Sequence, residues 1–231
     1  VLIPRQETEL MIDLALELAP APATGQPLLW ADLGTGSGCL ALALLQAFPS
    51  SQGLAVDVSA AALAQANANL ARLAAAPGSA DARIPSLRGA EADQVSPVAA
   101  AASASALQFR QGHWWQAIEP WWGQLQLVLS NPPYIPTSVV GQLDPVVRDH
   151  EPWLALDGGP DGLDAIRTII AGAPQALAPG GVLLLEHHHD QSAAVLDLLA
   201  KAGLEAERAH GDLEGVRRFA SGRRPCRSCV D

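Results

Sequence analysis

The residues Asn131, Pro132, Pro133 and Tyr134 form the tetrapeptide with the most suggestive chemistry in this sequence. Two consecutive prolines fix two φ angles and carry no N–H groups, so they leave a rigid edge of carbonyl acceptors. The Asn131 amide offers both a donor and an acceptor, and the Tyr134 ring can cover a flat group. We interpret this Asn-Pro-Pro-Tyr run as a receptor for a planar –NH2 group. A strand-ending turn is the simpler alternative, because Asn-Pro is a common turn dipeptide.

A second candidate site is a glycine-rich stretch, here called the glycine turn, which consists of Gly34, Thr35, Gly36, Ser37 and Gly38. Glycines allow close backbone approach, and the N-terminus of a following helix presents free N–H groups to a nucleotide-like ligand. The spacing differs from the dinucleotide pattern G-x-G-x-x-G, and no P-loop lysine follows. Asp57 ends the next predicted strand, where a carboxylate can accept both hydroxyls of a ribose. A tight turn followed by a solvated acid is the alternative.

The elements that must position these residues are strands alternating with helices. Seven segments predict strands, at residues 28–33, 53–58, 107–110, 125–129, 182–186, 205–209 and 217–221. Helices are predicted at residues 39–48, 60–74, 163–177 and 191–202, and before Pro20 with Thr8 as its N-cap. Continuous apolar strands are buried on both faces, which predicts a doubly wound α/β fold with a mostly parallel sheet. Its ligands should bind beyond the carboxyl ends of the strands.

The organisation of the chain predicts one domain over residues 1–231. An alanine-rich segment at about 74–106 has no sustained period and reads as a low-complexity insertion. Residues 135–162 read as an acidic loop at the rim of the cleft.

Composition excludes several classes of function. The net charge of −10 argues against a broad basic surface, so we expect no direct nucleic-acid substrate. No apolar run approaches the ~20 residues of a membrane span. Three cysteines do not make a disulfide framework, which favours a cytoplasmic protein.

The motifs together resemble the HemK family of protein-(glutamine-N5) methyltransferases. The resemblance rests on the stretch from Asp32 to Gly38, on Asp57 and on the Asn-Pro-Pro-Tyr run. Further matches are Ile3-Pro4-Arg5, Thr8-Glu9, Gly112, Trp114 and Asp157-Gly158-Gly159. It implies a seven-stranded, Rossmann-like class I methyltransferase that uses S-adenosyl-L-methionine. The implied substrate is the glutamine of the Gly-Gly-Gln motif in peptide chain release factors, and we expect the chain to act as a monomer.

The resemblance also assigns roles to single residues. The glycine turn would hold the methionine part of the cofactor, Asp57 the ribose and Trp114 the adenine. Asn131, which also borders the cofactor, would bind the glutamine amide together with Pro132, Pro133 and Tyr134. Arg5 and Thr8 would lie at the edge of the cofactor site.

The sequence departs from the family at three places. The small helical domain that usually precedes this region is absent from the sequence, and His113 stands where the family has an acidic or small residue. His188 occupies a position where the family has glycine, so we expect its bulky ring to affect the close packing at the end of this strand. We interpret residues 187–190 as a surface histidine cluster and predict no metal site, because adjacent strand residues point to opposite faces.

Two other functions fit the same residues. A methyltransferase for adenine or guanine amino groups would use the same tetrapeptide on a flipped base. A non-catalytic cofactor-binding module is the alternative from a different class.

Overall fold

The computed structural model describes residues 6–75, 106–119, 121–149 and 151–226. Seven strands are present in this part of the chain: β1 (Leu28–Leu33), β2 (Ser51–Asp57), β3 (Leu107–Gln111), β4 (Leu125–Ser130), β5 (Leu177–Glu186), β6 (Glu205–Gly211) and β7 (Arg217–Arg223). The helices between them are α1 (Gln6–Leu18), α2 (Cys39–Ala47), α3 (Ala60–Ala75), α4 (Thr137–Val140), α5 (Pro145–Arg148), α6 (Trp153–Leu156), α7 (Asp164–Ala176) and α8 (Ser192–Lys201). A 3₁₀ turn covers Trp114–Ala117.

The strands form one sheet in the order β3-β2-β1-β4-β5-β7-β6. The first five strands run parallel, and β7 pairs antiparallel with both β5 and β6. This topology confirms the predicted doubly wound, mostly parallel sheet. The strand order reverses at β1, which lies between β2 and β4. In open α/β sheets a crevice forms outside the carboxyl ends of the strands at such a point.

The sheet is buried on both faces, as its apolar strands predict. One face carries α1 and α2, whose Met11 and Leu44 are fully buried in the cluster that includes Trp30. The other face carries α7 and α8, whose Ile166 and Val195 are fully buried. Burial of this extent holds the ends of β1, β2, β4 and β5 in fixed register, and these ends carry the candidate site residues.

Several local predictions were wrong. Helix α1 begins no later than Gln6, so Thr8 lies within the helix and does not cap it. Residues 135–162 contain the short helices α4, α5 and α6, which are too short to show a helical period in the sequence. His187 is buried, with 1% of its surface exposed, so the predicted surface histidine cluster does not include it.

The predicted insertion is mostly outside the described residues. Helix α3 continues to Ala75, and the description resumes at residue 106, just before β3. None of the helices in the described part of the chain has the length and apolarity needed to cross a membrane.

Candidate functional site

The glycine turn connects β1 to α2 in a conformation that its sequence makes possible. Gly34, Gly36 and Gly38 all have positive φ angles, of 78°, 56° and 79°. Side chains other than glycine rarely adopt this conformation. A Cβ on Gly38 would also lie 2.9 Å from the Cβ of Ala66 in α3. The turn therefore passes close to its neighbours and opens the N-terminus of α2 toward the crevice, a geometry suited to an anionic or polar ligand.

Asp57, at the end of β2, holds the glycine turn through its carboxylate. Its Oδ2 accepts a hydrogen bond from the Gly36 N–H at 2.8 Å, and its Oδ1 accepts one from the Ser59 N–H at 2.8 Å. A carboxylate oxygen can accept a second hydrogen bond. Asp57 therefore fixes the turn while keeping acceptor capacity for hydroxyl groups, as a ribose site needs.

Asp32, the penultimate residue of β1, begins the motif that carries the family resemblance, but the sequence assigned it no role. Its side chain is 1% exposed, and its Oδ2 has no hydrogen-bond partner among the described residues; the same is true of Thr35 Oγ1. Burial raises the pKa of Asp32 to about 7; the nearby Thr35 hydroxyl partly offsets this increase, and the negative charge of Asp57 adds to it. Buried polar atoms without partners are costly in a folded protein. Those of Asp32 and Thr35 fit the polar groups of a bound cofactor. The signal in the sequence was an acidic residue near the end of an apolar strand.

Trp114 lies against the glycine turn. A Cβ on Gly34 would be 3.1 Å from Cζ3 of the Trp114 ring, so the ring approaches the backbone of the turn directly. Trp114 has a φ of 49°, which is strained for a side chain of this size. Its ring also meets that of His113 edge-on, with centroids 5.5 Å apart. Trp114 is therefore at the same sheet edge as the glycine turn and Asp57, where its predicted contact with an adenine ring is possible.

The Asn-Pro-Pro-Tyr run follows β4 and lies beside the glycine turn. Leu33 of β1 pairs with Ser130 of β4, and the Ser130 hydroxyl donates a hydrogen bond to the Leu33 carbonyl at 2.6 Å. Asn131 and Gly34 therefore leave the sheet from neighbouring positions. The run lines a small pocket together with Ile135, with Ala155 and Leu156 of helix α6, and with Glu186 of β5.

Three contacts brace the Asn-Pro-Pro-Tyr run from outside. Gln191 Nε2 donates hydrogen bonds to the carbonyls of Tyr134 at 2.9 Å and Gly162 at 3.2 Å. The Tyr134 hydroxyl donates to Glu186 Oε1 at 3.2 Å. A Cβ on Gly158 would lie 2.8 Å from the Pro133 carbonyl oxygen. The glycines of residues 158–162 therefore allow this segment to pack directly on the backbone of the run.

His188 leaves the pocket open, although its bulky ring was expected to affect the packing at the end of β5. It is not among the residues that line the pocket. Its ring centroid is 6.4 Å from that of Tyr134 and 4.2 Å from that of His189. Its Nδ1 lies 2.6 Å from Oδ1 of Asp190, which turns the ring toward the surface.

Two residues of the predicted site lie beside the start of the described part of the chain. Arg5 lies outside the described residues, and Thr8 is described only as part of the backbone of α1. Among the described residues, no group of three His, Cys, Asp or Glu side chains is arranged to hold a metal ion.

Two curated relatives of this chain carry the same name. A release factor glutamine methyltransferase from Prochlorococcus marinus is 45% identical over 224 residues, which is 97% of this chain and 67% of that protein. One from Synechocystis sp. is 40% identical over 228 residues, 96% of this chain and 66% of that protein. The chain thus spans about two thirds of the length of these relatives.

Solved structures agree with the fold. A ribosomal protein L11 methylase from Lactobacillus delbrueckii subsp. bulgaricus superposes with a TM-score of 0.53 at 15% identity, over 96% of this chain and 79% of that one. At this identity the similarity shows the methyltransferase fold alone. No protein-family model matches the chain.

Proposed function

Since this chain belongs to the release factor glutamine methyltransferase family, we propose that it transfers a methyl group from S-adenosyl-L-methionine to a release factor. The acceptor is the side-chain amide nitrogen of the glutamine in the Gly-Gly-Gln motif. The observation that carries the proposal is the pairing of Leu33 with Ser130, which puts the glycine turn and the Asn-Pro-Pro-Tyr run side by side. A methyl donor and a planar amide bound there would be neighbours.

The cofactor S-adenosyl-L-methionine supplies an electrophilic methyl group on a positively charged sulfur. The glycine turn would hold its methionine part, close to the buried atoms Asp32 Oδ2 and Thr35 Oγ1 that have no partner among the described residues. Asp57 would accept the ribose hydroxyls, and the ring of Trp114 would lie by the adenine. These residues all belong to the carboxyl-end edge of β1, β2 and β3.

The pocket would orient the amide nitrogen of the substrate glutamine, which is a poor nucleophile. The lone pair of an amide nitrogen is delocalised, and the same resonance gives peptide bonds a rotation barrier of ~18–20 kcal/mol. The side chain of Asn131 and the carbonyl of Pro132 would hold the –NH2 group, and the Tyr134 ring would cover it. Holding reactants in a productive geometry can contribute roughly 7–11 kcal/mol. Ile135, Ala155 and Leu156 give the pocket apolar walls, and apolar surroundings favour a reaction in which the charge on sulfur is lost.

The proposed substrate is a protein rather than a nucleic acid. A base-modifying methyltransferase would use the same tetrapeptide, but it needs contacts with phosphates, and this chain has a net charge of −10. The family relationship supports the release factor as substrate.

Incubation with radiolabelled cofactor tests the proposal and separates it from both alternatives. We expect label in a release factor, and none in a release factor whose motif glutamine is alanine. Label in nucleic acid would instead indicate a base-modifying enzyme. Cofactor binding without any transfer would indicate a non-catalytic module.

We further propose that the reaction takes place in the cytoplasm, where translation factors act. We also propose that the chain works as a monomer. Light scattering in the presence of the release factor would show whether one copy of the chain binds.

A further inference from the structure

Glu186 is a buried carboxylate in the amide pocket. It is the last residue of β5, and the preceding residue, Leu185, pairs with Ser130 of β4. Glu186 and Asn131 therefore leave adjacent strands side by side, and both line the same pocket. Only 3% of the surface of Glu186 is exposed. A carboxylate is rarely placed at so buried a position without partners or a chemical purpose.

The Glu186 carboxylate offers more acceptor positions than the Tyr134 hydroxyl alone can fill. The Tyr134 hydroxyl donates to Oε1 at 3.2 Å. An ionised carboxylate has about four acceptor positions on its two oxygens. A glutamine carboxamide presents two N–H donors, and the carbonyl edge of the Asn-Pro-Pro-Tyr run can take one of them. Glu186, on the neighbouring strand, is suited to accept the other.

Charge also favours a carboxylate at this position. During methyl transfer, positive charge develops on the amide nitrogen. A negative group held against that nitrogen in a site of low polarity stabilises the transition state more than the neutral ground state. The amide N–H then becomes strongly acidic, and its proton needs an acceptor.

On the basis of the proposed function, we propose that Glu186 is a catalytic residue that accepts an N–H hydrogen bond from the substrate amide and then takes its proton. The amide nitrogen uses its lone pair to bond to the methyl carbon, and the electron pair of the broken carbon–sulfur bond stays on sulfur. The N–H proton passes to the Glu186 carboxylate, which leaves a neutral N-methyl amide. The proton later leaves Glu186 for solvent.

Glu186→Gln is the first test, because glutamine keeps the shape of the side chain and an oxygen that can accept from Tyr134. We expect kcat to fall by about 100-fold or more, with the cofactor Kd unchanged. Tyr134→Phe removes the hydroxyl but not the carboxylate, so its kcat should fall far less. Glu207→Gln, an exposed position on β6, is the matched control and should behave as wild type.

Glu186→Ala allows two further measurements besides the loss of kcat: rescue by an added carboxylate and binding of a substrate peptide. Added formate should restore part of its activity, because a small carboxylate can occupy the vacated space. Formate should have no such effect on wild type or on Glu186→Gln. Calorimetric binding of a Gly-Gly-Gln peptide should also weaken in both Glu186 variants, since one hydrogen bond to the amide is lost.

The outcomes separate this proposal from the proposed function. If wild type methylates the release factor and Glu186→Gln is within about twofold of it, Glu186 has no catalytic role. An equal loss of kcat in Tyr134→Phe and Glu186→Gln, with no formate rescue of Glu186→Ala, would mean that Glu186 only holds Tyr134. If wild type transfers no methyl group to the release factor, the proposed function itself is wrong.

Discussion

Asp57 links β2 to the glycine turn through one carboxylate. Its two oxygens accept hydrogen bonds from the Gly36 and Ser59 N–H groups. Hydrogen bonds to charged groups contribute roughly 1.5–3 kcal/mol each. The sequence predicted that this acid would end a strand near the turn. The structure adds that Asp57 also holds the turn in shape, so its removal should affect cofactor binding in two ways.

Asp57→Ala is expected to weaken S-adenosyl-L-methionine binding by about 10- to 100-fold, because both the turn and the ribose lose an acceptor. Titration calorimetry measures this Kd. Asp13→Ala is the matched control, since Asp13 is an exposed carboxylate on α1. Equal Kd values for the two variants would contradict the assigned role of Asp57.

Asp32 makes the stability of the protein depend on pH. Its pKa is raised to about 7 by burial, whereas an unfolded aspartate has a pKa of about 3.9. Between these values the folded protein keeps a proton that the unfolded chain has lost. The stability that Asp32 contributes is fully present below pH 3.9. As the pH rises from 3.9 to 7, the free energy of unfolding falls by about 1.36 kcal/mol per pH unit.

Asp32→Asn removes this titration while nearly preserving shape. We expect the stability of the variant relative to wild type to rise by roughly 2–3 kcal/mol between pH 5 and pH 8. Urea unfolding at both pH values measures the difference, and Asp13→Asn serves as the control. A difference between Asp32→Asn and wild type that stays constant with pH would argue against a buried, protonated Asp32.

The sequence predicts the residues at strand ends better than the residues whose role depends on tertiary contacts. Spacing was enough to predict that Asp57 and Asn131 would lie at strand ends beside the glycine turn. Asp32 and Glu186 were given no role, because their importance comes from neighbours distant in sequence. Glu186, for example, contacts Tyr134 across 52 positions. Burial of a charge is a tertiary property that a strand pattern alone does not reveal.

At the scale of elements, Gln191 joins three segments that the sequence separates. It lies just before α8, donates to the carbonyls of Tyr134 and Gly162, and accepts from the His188 N–H at 3.0 Å. Its side chain is 7% exposed. This one amide therefore connects the end of β5, the segment before α7 and the Asn-Pro-Pro-Tyr run.

Gln191→Glu replaces the amide donor with a carboxylate facing two carbonyl oxygens. We expect a loss of about 1–3 kcal/mol in unfolding free energy and a higher KM for the release factor, with a smaller change in cofactor Kd. Gln52→Glu is the matched control, because it makes the same change at an exposed position on β2. An unchanged KM in Gln191→Glu would show that the Asn-Pro-Pro-Tyr run keeps its position without the hydrogen bonds from the Gln191 amide.

Two glycines with the same backbone conformation isolate the contact between the glycine turn and Trp114. Gly34 and Gly25 both have φ of 78°, but a Cβ on Gly25 meets nothing within 4 Å, whereas one on Gly34 approaches Trp114. Alanine at either position should cost roughly 1–2 kcal/mol of stability through backbone strain. Only Gly34→Ala should also weaken cofactor binding in calorimetry. The same Kd for both variants would contradict a cofactor site at this turn.

The strands and the longer helices could be predicted from the sequence, whereas the four-residue helices could not. Helices such as α7 and α8 carry enough turns for an apolar period to be visible. Helix α5 has four residues and is capped by Asp144, whose Oδ1 accepts from the Val146 N–H. Such a turn looks like any acidic, proline-containing loop. The start of β5 at Leu177 was missed as well, because Pro179 and two glycines follow and indicate a turn.

At the scale of the whole molecule, the order of strands makes one site from distant sequence segments. β1 lies between β2 and β4, so the cofactor residues after β1 and β2 meet the amide pocket after β4 at a single edge. The pairs that bring them together, β1 with β2 and β1 with β4, are both parallel. The predicted α/β class and the family resemblance are confirmed by the topology and by relatives 40–45% identical.

The central claim is that Asn131 orients the substrate amide beside the bound cofactor. Its most direct test is the rate of methyl transfer by Asn131→Ala, with the cofactor Kd measured on the same preparation. Wild type and Asn67→Ala, which changes an exposed asparagine of α3, should both methylate the release factor glutamine. Because Asn131 orients the amide, Asn131→Ala should lose about 100-fold or more in rate while binding the cofactor as wild type does. A near-wild-type rate in Asn131→Ala would contradict the account.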